Sequence, residues 1–263
     1  MNFNEQSNVT IVITSCGRFD LLKETIYSLD KFNTYPIKAV IITEDSGKNE
    51  VSEVIPEHWL EKTKVIVNNP KLGQIKSVDL AYKLVDTEYI FHCEDDWSFY
   101  RSGFIEDSIK ILKNDSNTLS VYLRDFTDDV SVHYDNHYLK NKKTIDNVEY
   151  AKLLCNKGVW GGFSFNPGLR RKSDYEVIGQ YDTGKSSDIR ERELSAHYLS
   201  RGMYVSILTK SAVKHIGWDS HILTENELRH LKKIKKVKVK YSLIGFAVGI
   251  IFGPLLFSLY AAM

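Results

Sequence analysis

Apolar residues fall in short runs over the first hundred positions, and each run ends in polar ones. Val9-Thr10-Ile11-Val12-Ile13-Thr14, Ile37-Lys38-Ala39-Val40-Ile41-Ile42, Lys64-Val65-Ile66-Val67 and Tyr89-Ile90-Phe91-His92-Cys93 have the length and side-chain types of buried strands. Between the first two, Leu21, Leu22, Thr25, Ile26 and Leu29 recur at helical spacing, with Asp20 or Ser15 as the expected cap. Gly73 opens a second helix with Ile75, Val78, Leu80, Ala81 and Leu84 as apolar positions. Strands alternating with helices predict βαβ units: an α/β fold with a mostly parallel central sheet flanked by helices.

The pattern is less regular further on. Residues 105–112 read as a helix, 119–123 as a strand, and 127–143 as a polar loop. Residues 160–166 read as a strand entered through Gly161-Gly162, where the backbone can approach a ligand closely or bend. Trp160 beside that pair is the best placed of these tryptophans to meet a bound group with its ring face, whereas Trp97 and Trp218 read as ordinary packing. Residues 188–201 form a charged helix ended by Gly202. Residues 205–213 alternate loosely and lead to His215. Finally, 241–263 contains no charged residue over 23 positions, long enough to cross a bilayer. Six lysines, Lys232, Lys233, Lys235, Lys236, Lys238 and Lys240, precede it and hold the body on the cytoplasmic side. Tyr241 and Tyr260 stand where interface aromatics do. Pro254 leaves two geometries open, a span or a shallow hairpin in one leaflet. The expected organisation is thus a 1–227 domain in two halves (about 1–100 and 101–227), a 228–240 basic linker, and a 241–263 membrane segment.

Charge sharpens this division. The net charge is +1, but seven of the 35 lysines and arginines, and none of the 34 acids, lie from Arg229 onward, so the body carries −6. An acidic body argues against nucleic acid as a partner. Cys16, Cys93 and Cys155 are too far apart for a metal-binding pair and read as reduced thiols, and residues 1–8 lack the apolar core of a secretory signal.

Candidate chemistry gathers at strand ends. In doubly wound sheets ligands bind outside the carboxyl ends of the strands. Here those ends read Thr14-Ser15, Glu44-Asp45 and Glu94-Asp95-Asp96, and they are expected to converge on one crevice. Adjacent carboxylates repel unless a cation neutralises them, and hard divalent ions (Mg²⁺ or Mn²⁺) held by one or two carboxylates plus substrate phosphates fit that need.

An ordered string of motifs resembles the family 2 glycosyltransferases of the GT-A (Rossmann-like, nucleotide-binding) fold over roughly residues 8–220. Ile11-Val12-Ile13-Thr14-Ser15-Cys16-Gly17-Arg18 is similar to the opening strand, and Thr43-Glu44-Asp45-Ser46-Gly47 to the second acidic turn. Asn69-Pro70-Lys71-Leu72-Gly73 leads to Glu94-Asp95-Asp96 at the Asp-x-Asp position. Gly161-Gly162-Phe163 with Arg170-Arg171 and Glu191-Arg192-Glu193-Leu194 follow, then His215. The resemblance implies inverting sugar transfer from a nucleotide-sugar donor bound by the 1–100 half, UDP-sugar favoured, to an acceptor on the 101–227 half with Trp160 as its expected contact, and with Mn²⁺ or Mg²⁺ stabilising the diphosphate leaving group. It implies Asp96 as a direct metal ligand, His215 as a further ligand or phosphate contact, Asp95 at the ribose or the ion's waters, Asp45 on the base, and Thr14 and Ser15 lining the same pocket.

Inversion requires a general base, for which Asp188, Glu191 and Glu193 are candidates. Glu191 lies three before Leu194 and seven before Tyr198 and shares their inward helix face, whereas Glu193 is turned about 100° from Leu194. The family pattern also favours the Glu191 position, though it usually has Asp there. The membrane segment points to a glycan or lipid-linked acceptor, as in bacterial surface polysaccharide synthesis at the inner membrane. Alternatives are a tethered nucleotide-binding protein of the same fold without catalysis, and a sugar nucleotidyltransferase, which the short, single-glycine Ser15-Cys16-Gly17-Arg18 turn disfavours.

Overall fold

The structure, a computed structural model, describes residues 1–134, 136–156 and 162–218. Trp160, Gly161, the 228–240 linker and the 241–263 segment lie outside the described residues, and no helix among those described is long and apolar enough to cross a membrane.

The first half follows the apolar pattern closely. Strand β1 (Val9–Ser15), helix α1 (Phe19–Phe32), β2 (Ala39–Glu44), β3 (Thr63–Val67), α2 (Gln74–Tyr82) and β4 (Tyr89–Glu94) come in order, and β3, β2, β1 and β4 lie side by side, all parallel. Strands β1, β2 and β4 are buried on both faces, which is why they read as continuous apolar runs, while β3 at the sheet edge is only partly buried. Alternation nevertheless sorts their side chains. Val9, Ile11, Ile13, Val40, Ile42, Tyr89, Phe91 and Cys93 join one core with α1, while Val12, Ile41 and Ile90 join a second core with α2.

Two local readings are corrected. The α1 N-cap is Arg18, with no side-chain cap, so neither Asp20 nor Ser15 plays that part. In α2 the inward positions are Ile75, Val78, Ala81 and Tyr82, while Leu84, just beyond the helix, is exposed and Val85 takes the buried place.

The second half departs from the pattern more. After β5 (Trp97–Phe99) and α3 (Phe104–Asn114) comes β6 (Thr118–Tyr122). The stretch expected as loop instead holds a π-turn at Phe126–Val130, the single turn α4 (Ser131–His133) and strand β7 (His137–Ile145), which pairs antiparallel with β8 (Val148–Cys155). Asp146 and Asn147 between them both have positive φ, 46° and 65°, as a two-residue hairpin turn requires.

The strand expected at 160–166 is not one over its described residues 162–166. The strand there is β9 (Gly168–Arg171), followed by α5 (Lys172–Ile178), α6 (Ser187–Ser200), β10 (Tyr204–Leu208) and β11 (Val213–His215). Helix α6 ends as expected, with Gly202 at φ 76°. The main sheet runs β3-β2-β1-β4-β9-β6-β10-β8-β7, and β11 pairs with β5 in a separate ribbon. Since β9 is antiparallel to both neighbours and β8 to both of its own, the sheet is mixed rather than mostly parallel. The cause is local: β9 and β8 enter against the direction of their neighbours, without the crossover helices that keep β1 to β4 parallel.

Candidate active site at the strand ends

The parallel register sets Ser15 beside Glu44 and Thr14 beside Glu94, so the three polar strand ends do meet along one sheet edge. The alternation that sorted the core also aims the acids. Glu94 shares the face of Ile90 and His92 and turns to α2, where Gln74 Nε2 donates to its Oε1 at 2.7 Å. Asp95 turns to the α1 side, where Cys16 N–H and the Arg18 guanidinium donate to it. Glu44 Oε1 likewise receives Gly17 N–H and Ser46 N–H at 2.9 and 2.7 Å.

Asp45 faces α2. Its two oxygens receive Leu72 N–H and Gly73 N–H, each at 2.8 Å, and Asn68 Nδ2 at 3.0 Å. The expected nucleotide contact is thus also the anchor of the 68–73 loop, a role with no sign in the residue pattern. Of the expected pocket residues, Thr14 and Ser15 are buried, and Ser15 Oγ has no hydrogen-bond partner among the described residues.

Asp96 lies just past β4 and is held from two elements. Its Oδ2 contacts Arg18 Nη2 at 2.8 Å and His215 Nε2 at 3.3 Å. Pairing of β11 with β5 puts His215 opposite Trp97, with the rings edge-on at 4.8 Å, and Ile216 N–H closes onto Asp96 O at 2.9 Å. Asp96 Oδ1 is buried without a partner among the described residues.

The three carboxyls at the end of β4 titrate differently. Burial lifts Glu94 well above the usual carboxylate range, and Asp96, Glu191 and Asp95 add to the rise. Burial outweighs Arg18 at Asp95 and pushes it up to about 6. At Asp96 burial also pushes upward, but His215 and Arg18 together prevail and hold it below its ordinary value.

No group of three or more His, Cys, Asp or Glu stands ready as a metal cage among the described residues. The donors fit a hard divalent ion all the same: one buried carboxylate oxygen with no partner among the described residues, and an imidazole on the same carboxylate. Gly217 shows how closely this is packed. A Cβ there would lie 2.6 Å from Asp96 Oδ2 and 2.7 Å from Asp96 Cβ. Gly217→Ala is therefore expected to displace Asp96, cost about 1–3 kcal/mol, and weaken Mn²⁺ binding. Urea denaturation and Mn²⁺ titration of the variant check this.

On α6, Leu194, Ser195 and Tyr198 are buried, and Glu191 points the same way. Its Oε1 accepts Phe165 N–H at 2.9 Å, and it lies within electrostatic reach of Glu94. Burial raises Glu191 to about 7, against the pull of that N–H and of the buried Arg170. The other two candidates are engaged elsewhere: Glu193 pairs with Lys185 and Arg190, and exposed Asp188 with Arg192. The sequence reading assigned no site role to Arg18, Gln74 or Arg170, although Arg18 and Arg170 stand inside motifs that carry the resemblance.

Residues 10–178 match the sequence model of the family described as Glycosyl transferase family 2. No curated protein matches the sequence. Among solved structures, the mannosyltransferase PcManGT from Pyrobaculum calidifontis, in complex with GDP-Man and Mn²⁺, is 12% identical over 82% of this chain and 60% of its own, with a TM-score of 0.57. The S. aureus TarS 1–349 structure is 13% identical over 79% of this chain and 60% of its own, also with a TM-score of 0.57. The chain thus spans about 60% of the length of these two structures, and at such identities the likeness is one of fold.

Proposed function

The chain belongs to glycosyl transferase family 2, and we propose that it is an inverting, cation-dependent enzyme that moves a sugar from a nucleotide-sugar to a glycan or lipid-linked acceptor at a membrane. The observation that carries this reading is the meeting of the β1, β2 and β4 ends beside Asp96, with Glu191 reaching the same cleft. Thr14, Ser15 and Asp45 line the nucleotide side, and Asp95 the ribose or the ion's waters. Asp96 and His215 would hold Mn²⁺ or Mg²⁺, which when bound supplies Lewis-acid stabilisation of the diphosphate leaving group. Glu191 takes the proton of the acceptor hydroxyl as that oxygen attacks the anomeric carbon from the face opposite the leaving group. The Phe165 N–H fixes the carboxylate for this step, and its raised affinity for a proton makes it a stronger base than a free glutamate.

UDP-sugar remains the favoured donor. GDP is the main competitor, since PcManGT was solved with GDP-Man. The apolar 241–263 segment behind its lysine row supports a body held at the cytoplasmic face of an inner membrane, where a lipid-linked precursor of surface polysaccharide would be the acceptor. The test is nucleotide release from UDP-, GDP- and CMP-sugars by full-length protein with Mn²⁺ and membrane lipid extract, with the product's anomeric configuration read by NMR. One donor class consumed with inversion is expected. Retention, or no consumption of any donor by folded protein, contradicts the reading.

A further inference from the structure

We propose that Arg18 is the resident counter-cation of the Asp95–Asp96 pair, exchanged for the divalent ion when that ion binds. The inference rests on the donor-site reading above and adds to it a residue that holds the site together before the ion arrives.

Asp95 and Asp96 are consecutive and buried, 2% and 6% exposed. Two such charges side by side are costly without a cation. Arg18 is that cation. Its Nη2 and Nε both reach Asp95, and the same Nη2 reaches Asp96 Oδ2. The backbone aims it there: Gly17, at φ 73°, turns the chain sharply after β1, and Arg18 follows at the N-cap of α1. A Cβ on Gly17 would meet Ser46 Cβ at 3.1 Å, so this turn is fitted against the end of β2.

The clamp is complete on Asp95 and partial on Asp96. Oδ2 of Asp96 is shared between Arg18 and His215, while Oδ1 is left without a partner among the described residues. A divalent ion held by Asp96 would share that carboxylate with the guanidinium, and the two cations would repel. The ion can then take over neutralising the acids, and Arg18, whose side chain is 19% exposed, is less enclosed than the two carboxylates it serves. The anion that arrives with the ion is a diphosphate, a group the guanidinium fork pairs well.

The test uses full-length wild type, Arg18→Gln and Arg18→Lys, with Mn²⁺ binding followed by electron paramagnetic resonance without nucleotide, and thermal unfolding in EDTA or Mn²⁺. Arg18→Gln is expected to bind Mn²⁺ roughly tenfold tighter than wild type, within the usual range of coupling between two ligands for one site. It should also melt below wild type in EDTA and recover most of that loss in Mn²⁺. Arg18→Lys keeps one charge but loses the fork, and should fall between the two; it carries the test if the glutamine variant does not fold without metal. Wild type that binds Mn²⁺ as tightly as both variants overturns the exchange and leaves the donor-site reading intact. No Mn²⁺ response in any of the three, with or without added nucleoside diphosphate, overturns both.

Discussion

Glu191→Gln is expected to lower sugar transfer by about 10²–10⁴-fold while leaving the fold intact and more stable at alkaline pH. Glutamine keeps an oxygen for Phe165 N–H but cannot take a proton from the acceptor. The stability effect has a definite sign. Burial raises Glu191 to about 7 in the folded chain, above the ordinary glutamate value. The folded state therefore holds this proton more tightly than the unfolded one, and stability falls as pH rises from the unfolded value through about 7, by roughly 3 kcal/mol in all. The glutamine variant lacks that loss, so it should gain on wild type at pH 8 and not at pH 4. The same titration sets the rate: wild-type transfer should fall about tenfold per pH unit below about 7, as the base becomes protonated. Urea denaturation at the two pH values and a pH–rate profile check both parts. A Glu191→Gln enzyme that retains wild-type kcat would move the base elsewhere, and Asp188 and Glu193 are occupied by Arg192, Lys185 and Arg190.

Asp45→Ala is expected to cost roughly 2–4 kcal/mol, in addition to weakening nucleotide binding. Both carboxylate oxygens receive backbone N–H groups of the 68–73 loop, and buried Asn68 donates to one of them. Removing the acid strands Leu72 N–H, Gly73 N–H and one Asn68 donor together. Gly73 also sets the start of α2, at φ 90°, so the loss should reach Gln74 and its contact with Glu94. Urea denaturation separates this from a pure ligand contact, for which stability would be unchanged while binding fell.

How much of this could be read from the chain follows from what each residue answers to. Strands β1, β2 and β4 are buried on both faces, so burial alone writes them as apolar runs, and their polar ends stand out by contrast. The inward face of α6 was legible for a similar reason: Glu191, Leu194 and Tyr198 share a helical spacing. The β7–β8 hairpin was not, because β7 is exposed over Lys140, Asn141, Lys142, Lys143 and Thr144, and its polar sequence looks like loop. The Asp146-Asn147 turn was its one local sign. Strand β9 was displaced from its expected place because the aromatics Phe163 and Phe165 read as strand residues. They are instead buried against Tyr181, with Phe163 also stacked on Tyr198. Arg18 and Gln74 act through partners that sit far away in sequence, and no spacing rule reports such pairs. Alternation past the end of β4, by contrast, was available: period two alone sends Glu94 toward α2 and Asp95 toward α1.

The most direct test of the account is calorimetric titration of UDP, GDP and CMP into the full-length protein, with and without Mn²⁺, for wild type and Asp96→Ala. The account predicts that one nucleoside diphosphate binds, that binding requires Mn²⁺, and that it is lost in Asp96→Ala while the variant remains folded. Binding that is equally strong without Mn²⁺ or in Asp96→Ala, or no binding of any nucleotide to folded wild type, would contradict a cation-dependent donor site at the ends of β1, β2 and β4.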